Sequence, residues 1–353
     1  MLTIGVDAHT RVHAAAALDD AGREVGRWRG PNSPDGWRDL RRWACALGEP
    51  RQWGVEGAWN YGRGLAQHLV AADEVVYEVN PRWTAKGRRG ARRPGKSDAL
   101  DARAVALTVV REAPGLPLVQ PDDETAVLDL LVTEREAAVA EATRLRNQVH
   151  AHLQQLDPEY RTRVPNLQTQ AGLAAIGSYA VPEDAAALDQ ERAAAIRRLT
   201  QRLRLALDQA EELADRIRER ADARFSPLTR LCGVNLLTAG ALAGILGPGR
   251  RWRTDAQLAA HAGVAPLEAS SAGVTRHRLN RGGNRRLNAI LYRIALTQAR
   301  HSPEGRAYLD RRVAEGKTSR EAFRALKRFL VRAIWRLWQE CLDAETDVPA
   351  VAA

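Results

Sequence analysis

The sequence predicts an α/β first domain followed by a mainly α-helical remainder, and three observations carry that reading. Short apolar segments with strand spacing alternate with helical ones over residues 2 to 79. Long stretches rich in Glu, Arg, Ala and Leu fill the middle of the chain, and Pro114, Pro117 and Pro121 separate the two regimes. With 353 residues, 45% of them hydrophobic, the chain has apolar material for more than one core.

Taken in order, Leu2 to Val6 reads as a short buried strand ending at Asp7, and Val12 to Leu18 as its partner. The polar turn Asp19-Asp20-Ala21-Gly22 leads to a third strand from Glu24 to Trp28. Pro34 to Leu47 carries helical spacing, Gln52 to Val55 forms a strand ending at Glu56, Tyr61 to Ala71 a helix, and Val75 to Val79 another strand. Three strands followed by alternating helix and strand is the order of an RNase H-like mixed sheet. Arg82 to Lys96 interrupts the pattern with Gly, Pro and a run of cations and reads as an exposed arm, after which Asp98 to Val110 resumes a helix. The first domain therefore spans 1-115, with its boundary in the Pro-containing stretch 112 to 122.

Residues 122-225 read as a helical linker. Glu, Arg, Ala and Leu dominate from Asp123 to Leu156 and again from Glu183 to Ala223, and Leu130, Leu131, Ala137, Val139, Leu145, Val149 and Leu153 supply a packing stripe without a strict heptad. Such a hairpin can space subunits as a coiled-coil assembly region or pack within one domain. A smaller, mainly helical C-terminal domain covers 228-342. Its opening Leu231-Cys232-Gly233-Val234-Asn235 is similar to a helix-hairpin-helix phosphate-binding turn, with Asn235 where Gly is usual. Near its end, Thr318-Ser319-Arg320-Glu321 forms a capping box for a helix whose Phe323, Leu326, Leu330, Ala333, Ile334 and Leu337 share a side. The cations of that helix fit either a solvated face or one turned to nucleic acid.

Lys and Arg number 53 against 43 Asp and Glu, a formal charge of +10 that favours an anionic polymer as partner, nucleic acid first. Cys45, Cys232 and Cys341 have no CxxC spacing, which argues against a zinc site or disulfide framework and for a reducing, cytoplasmic setting. No apolar run reaches membrane-spanning length, and the N-terminus lacks the pattern of a secretory signal.

Four carboxylates mark the first candidate site. Asp7 and Glu56 end expected strands, while Asp98 and Asp101 stand three apart at a helix start and so share a side. Close carboxylates repel one another and gain proton affinity unless a cation offsets them, and magnesium suits oxygen ligands working beside phosphates. Two such ions could drive in-line phosphoryl transfer, or orient phosphate while another group attacks. His9 follows Asp7 closely and raises a metal or phosphate contact, ranked below a purely local role. The neighbouring Arg82, Lys86, Arg88, Arg89, Arg92, Arg93 and Lys96 would hold a strand through its phosphates. Trp83 and Trp59 could stack on a base, though core anchoring is the better reading for Trp59.

The second candidate site follows Gly263-Val264-Ala265-Pro266. Ser270 and Ser271 precede Ala272-Gly273, and Arg276, Arg278, Arg281, Asn284, Arg285 and Arg286 come after, with no acidic residue from Ala269 through Ser302. A loop serine among arginines can meet a phosphodiester closely, yet serine chemistry alone favours a turn role and does not separate Ser270 from Ser271. His261 reads as a packed or surface histidine.

Together the segments Gly5-Val6-Asp7-Ala8-His9, Val55-Glu56-Gly57, Lys96 to Ala102, Gly263 to Pro266, Ser271 before Ala272-Gly273, and Arg281-Gly282-Gly283-Asn284-Arg285 resemble the insertion sequence 110 family of transposases over most of the chain. Ala272 stands where that family often has Gly, and Arg281-Gly282-Gly283 replaces a Lys-Arg-Gly arrangement. The resemblance implies a resolvase-like N-terminal domain and a DNA recombinase in which Asp7, Glu56, Asp98 and Asp101 hold magnesium and Ser271 attacks donor and target DNA, giving a transient 5′-phosphoserine linkage. It further implies guidance by a noncoding bridge RNA and a homodimer assembling to a tetramer. Two rivals remain: a metal-dependent, structure-selective nuclease using the N-terminal site alone, and a noncatalytic architectural or repressor protein.

Overall fold

The computed structural model describes residues 1–81, 98–268, 277–278, 280 and 282–346. Its N-terminal sheet contains β1 (Leu2–Ala8), β2 (Val12–Leu18), β3 (Glu24–Pro31), β4 (Arg51–Glu56) and β5 (Val76–Val79), in the order β3-β2-β1-β4-β5. β1 pairs antiparallel with β2 and β2 with β3, whereas β4 lies parallel to both β1 and β5. That order and mixture of directions is the RNase H-like arrangement. Helices α1 (Pro34–Leu47) and α2 (Arg63–Val70) cover one face, where Leu40, Ala44, Leu65 and Leu69 pack on Ile4, Val6, Trp53 and Val55. Helix α3 (Asp98–Glu112) covers the other, with Val105 and Val109 against Tyr77 and Val79. Burial on both faces explains why β1 and β4 read as continuous apolar runs rather than alternating ones.

Contacts divide the chain into two compact units, one comprising Met1–Glu124 and Leu246–Ala353, the other Thr125–Ile245. The second is built on long helices α4 (Glu124–Leu156) and α7 (Ala187–Phe225), with the short α5 (Tyr160–Arg163) and α6 (Gln170–Gly177) between them. Arg192 bonds Gln155 and Arg202 approaches Glu141, so the long helices run antiparallel. Leu145, Val149, Leu153, Leu173, Ile196 and Leu203 join in their core, closed at one end by Tyr160. In the turn before α8 (Leu236–Leu246), Gly233 takes φ 93°, and Asn235 Oδ1 accepts from Thr238 N–H at 2.9 Å. Asn235 thus caps a helix at the position where the sequence departs from the usual glycine.

Returning to the first unit, α9 (Asp255–His261) precedes the two-residue strands β6 (Leu267–Glu268) and β7 (His277–Arg278), and α10 (Arg285–His301), α11 (Pro303–Ala314) and α12 (Ser319–Thr346) pack on one another. The expected capping box is present: Thr318 N–H donates to Glu321 Oε2 at 2.9 Å and Glu321 N–H to Thr318 Oγ1 at 3.4 Å. Three cations of α12 are committed internally. Lys327 donates to Asn288 Oδ1 at 2.9 Å, while Arg328 and Arg332 reach Asp255. Among the described residues no helix is long and apolar enough to cross a membrane.

Candidate active site

Asp7 sits near the C-terminal end of β1, and the parallel register that pairs Val6 with Val55 makes Glu56 its neighbour at the end of β4. Side chains alternate along a strand, so Asp7 shares the α3 side with Gly5. Gly5 and Gly54 are register partners, and a Cβ on Gly5 would lie 2.2 Å from Ala106 N and 2.3 Å from Ala102 O. The absence of a side chain at Gly5 lets α3 rest its backbone on the sheet, and Gly54 leaves room for the methyls of Val105 and Val109. The first turn of α3 then brings Asp98 and Asp101 to Asp7.

Asp7 and Asp101 are buried, at 6% and 3% exposure. Burial raises the pKa of Asp7; His9 opposes the rise, and the charges of Asp101 and Asp98 add to it. His9 Nε2 lies 3.1 Å from Asp7 Oδ2 and 3.7 Å from Asp98 Oδ1, and Arg29 Nη2 comes within 4.0 Å of Asp98. One ligand atom from each of Asp7, His9 and Asp98 lies within 4.8 Å of the others.

A second buried carboxylate, in the segment between α2 and β5, provides the contrast. Glu74 accepts from Arg51 and from Trp53 Nε1, and although burial raises its pKa, the bonds from Arg51 and Trp53 hold it below the usual carboxylate range. Glu74 has its cation built in, whereas Asp7 keeps a raised pKa beside further carboxylates. That donor set fits a divalent ion.

On the C-terminal side, α9 and α10 meet through their ends. Gly263 has φ 69°, and a Cβ on Gly283 would stand 2.3 Å from Gly263 Cα, so two backbones cross in contact there. Asn284 N–H donates to His261 O at 2.6 Å, Asn284 Oδ1 accepts from Leu287 N–H at 3.0 Å to cap α10, and Asn288 Nδ2 donates to Ala262 O at 2.8 Å. Arg285 is exposed, Arg286 half-buried and Arg278 exposed on β7. Ser270, Ser271, Arg276 and Arg281 lie outside the described residues, as do Arg82, Trp83, Lys86, Arg88, Arg89, Arg92, Arg93 and Lys96.

Sequence reasoning did not find the Arg251 cluster. The Arg251 guanidinium stands 4.8 Å from the ring centres of both Trp59 and Trp252 and pairs with Glu78 of β5. Trp59 Nε1 donates to the same carboxylate at 2.9 Å, and the His261 ring packs 4.5 Å from Trp252. Trp59, three residues after Glu56, is thus a protein anchor. The residues gave little sign of it, because Arg251 is one of many arginines and its partners are far away in sequence.

A mixed sheet of RNase H-like order thus carries acidic residues at the ends of two parallel strands and beside a glycine-seated helix, an arrangement suited to holding a divalent ion. Residues 4–158 match the family model DEDD_Tnp_IS110, described as a transposase, and residues 226–310 match the model of the transposase IS116/IS110/IS902 family. The chain is 30% identical to an insertion element IS110 uncharacterized 43.6 kDa protein of Streptomyces coelicolor, over 72% of this chain and 73% of that protein. It is 27% identical to an insertion element IS116 uncharacterized 44.8 kDa protein of Streptomyces clavuligerus, over 96% and 94% respectively. Among solved structures, T. thermophilus RuvC in complex with Holliday junction substrate aligns with 34% of this chain and 99% of its own, at 16% identity and a TM-score of 0.26. The chain belongs to the IS110 family of insertion-element transposases.

Proposed function

We propose that this transposase joins donor and target DNA through Ser271, with Asp7, Glu56, Asp98 and Asp101 holding magnesium. The observation that supports the cation site is the convergence of Asp7 with Asp98 and Asp101 of α3, while the buried Glu74 nearby already has its cation in Arg51; the role of Ser271 rests on membership of the family. Magnesium bound there would offset phosphate charge and favour displacement at phosphorus. The serine step forms an Oγ–P bond and breaks the P–O3′ bond; the hydroxyl proton leaves Ser271 and the departing 3′ oxygen takes one up. Phosphodiester energy is kept in the 5′-phosphoserine linkage, ready for rejoining.

The basic run from Arg82 to Lys96, together with Arg276, Arg278, Arg281, Asn284, Arg285 and Arg286, would track the nucleic-acid backbone. A noncoding bridge RNA then selects both DNA partners by base pairing, and protomers assemble as a dimer and then a tetramer around them. These two statements rest on membership of the family.

The test mixes purified chain with its element-end DNA, the noncoding RNA encoded beside it, and magnesium. A covalent protein–DNA adduct is expected on a denaturing gel, absent from Ser271→Ala and reduced in Asp7→Asn at matched folded concentration. An adduct that persists in Ser271→Ala overturns the nucleophile assignment. Free DNA ends without an adduct in the native chain would identify a nuclease, and binding without cleavage an architectural protein.

A further inference from the structure

We propose that His9 Nε2 is itself a metal ligand, which turns the carboxylate cluster into a mixed nitrogen–oxygen site with a preference for Mn2+ over Mg2+. The inference deepens the proposed cation site and rests on it. Ligand atoms in adjacent positions of an octahedral site with bonds of about 2.1 Å stand about 3 Å apart. His9 Nε2 lies 3.1 Å from Asp7 Oδ2 and 3.7 Å from Asp98 Oδ1, so a small inward shift of Asp98 places all three around one ion.

The His9 backbone is fixed for this role. Its N–H donates to His13 Nδ1 at 3.3 Å, from one residue inside β2, and its carbonyl accepts from Asn32 Nδ2 at 3.2 Å. Asn32 Oδ1 in turn accepts from Trp37 Nε1 at 2.9 Å, tying the turn to α1. The side chain remains 47% exposed, which leaves the imidazole open to an arriving ion. A ligand whose backbone is bonded to side chains of β2 and of the turn before α1 loses little freedom on binding.

Imidazole nitrogen strengthens binding of first-row transition ions, while Mg2+ prefers oxygen and retains water. A site of carboxylates alone would discriminate less. His9 therefore sets which divalent ion the site holds, and the carboxylates set that it holds one.

The full chain is loaded with Mn2+, and pulsed electron paramagnetic resonance reads nitrogen coupling at the ion. Coupling of the strength of a ligated imidazole is expected in the native chain. His9→Ala should abolish it and weaken Mn2+ binding about tenfold, with a much smaller change for Mg2+ measured by competition. The backbone bonds that hold the turn survive this substitution, and an unchanged thermal midpoint would confirm it. Asp7→Asn should lose Mn2+ from the same site. Mn2+ that binds in an Asp7-dependent way without nitrogen coupling, or coupling that persists in His9→Ala, overturns the assignment of His9 alone. A native chain with no Asp7-dependent Mn2+ overturns the cation site as well.

Discussion

Substituting Gly5 by alanine tests whether the acidic site depends on how deeply α3 sits on the sheet. The added methyl would stand 2.2 Å from Ala106 N, 2.3 Å from Ala102 O and 2.8 Å from Ala106 Cα. All three atoms are helix backbone, so rotating a side chain cannot relieve the overlap. Restoring an ordinary contact requires a retreat of ~1 Å by the helix, or an equal bend of β1. Overpacking of this kind costs about 1–3 kcal/mol, and the rigidity of both surfaces places Gly5→Ala near 3 kcal/mol. Asp101 adjoins the obstructing Ala102, so the same retreat moves the α3 carboxylates away from Asp7. Urea denaturation would measure the stability loss, and calorimetric titration with Mn2+ the loss of affinity. Gly54→Ala provides the comparison: its nearest contacts are the methyl tips of Val109, Val105 and Val79, at 2.5, 3.1 and 3.2 Å, which can shift. Its loss should be smaller in both assays. A Gly5→Ala protein with native stability and native ion affinity would refute the seating of α3 on which the site depends.

Three further outcomes follow from the same structure. Arg251→Ala strips the cation from between Trp59 and Trp252 and leaves the Glu78 carboxylate without it, a loss of about 3 kcal/mol by denaturation; Arg251→Lys should recover only part, because an ammonium lacks the flat guanidinium that fills the gap. An Arg251→Ala protein with the native denaturation midpoint would remove the cluster from the account of stability. His261 is pushed down to about 3 by burial, with Arg251 adding to the effect. Between that value and the ordinary 6.5 the unfolded chain binds more protons than the folded one, so the stability His261 contributes is complete above pH 6.5 and is lost as pH falls toward 3. His261→Phe should flatten that part of the acid-unfolding profile, and an unchanged slope would show that the ring is protonated without cost. Asp7→Asn should raise the thermal midpoint at pH 7 without divalent ion, since the raised pKa marks its ionised form as unfavourable in the fold, and should abolish the gain that Mn2+ gives the native chain. A lower midpoint without ion would mean that the carboxylate is already compensated.

The sheet was legible because its signals are local. Apolar runs between polar turns placed five strands, and their observed limits, such as Arg51–Glu56 against an expected Gln52 to Val55, differ by at most three residues, the largest difference being at the end of Glu24–Pro31. The long helices and the capping box at Thr318 were legible for the same reason, through spacing and one side-chain pair. Helices Tyr160–Arg163 and Gln170–Gly177 were not anticipated, being too short to show a period and held mainly by packing against the long pair. Strands Leu267–Glu268 and His277–Arg278 have two residues each, too few to alternate. Lys327, Arg328 and Arg332 read as a charged face, but which cations find a partner within the chain depends on Asn288 and Asp255, located elsewhere in the sequence.

What the residues could not convey is how the acidic cluster is brought together. Asp7, Glu56, Asp98 and Asp101 were singled out for their charge and their places at element ends, yet charge alone would drive them apart. Two register-paired glycines supply the missing cause: Gly5 lets the helix approach the sheet at backbone distance and Gly54 makes room for its valine methyls, so that two carboxylates reach a third against their repulsion. The Gly263–Gly283 crossing is a comparable close approach on the C-terminal side, where two backbones touch between α9 and α10. In both places a motif glycine acts through the space it leaves. Substitution at these glycines should therefore disturb chemistry at side chains they never touch, and the pattern of such losses would trace the scaffold separately from the reacting groups.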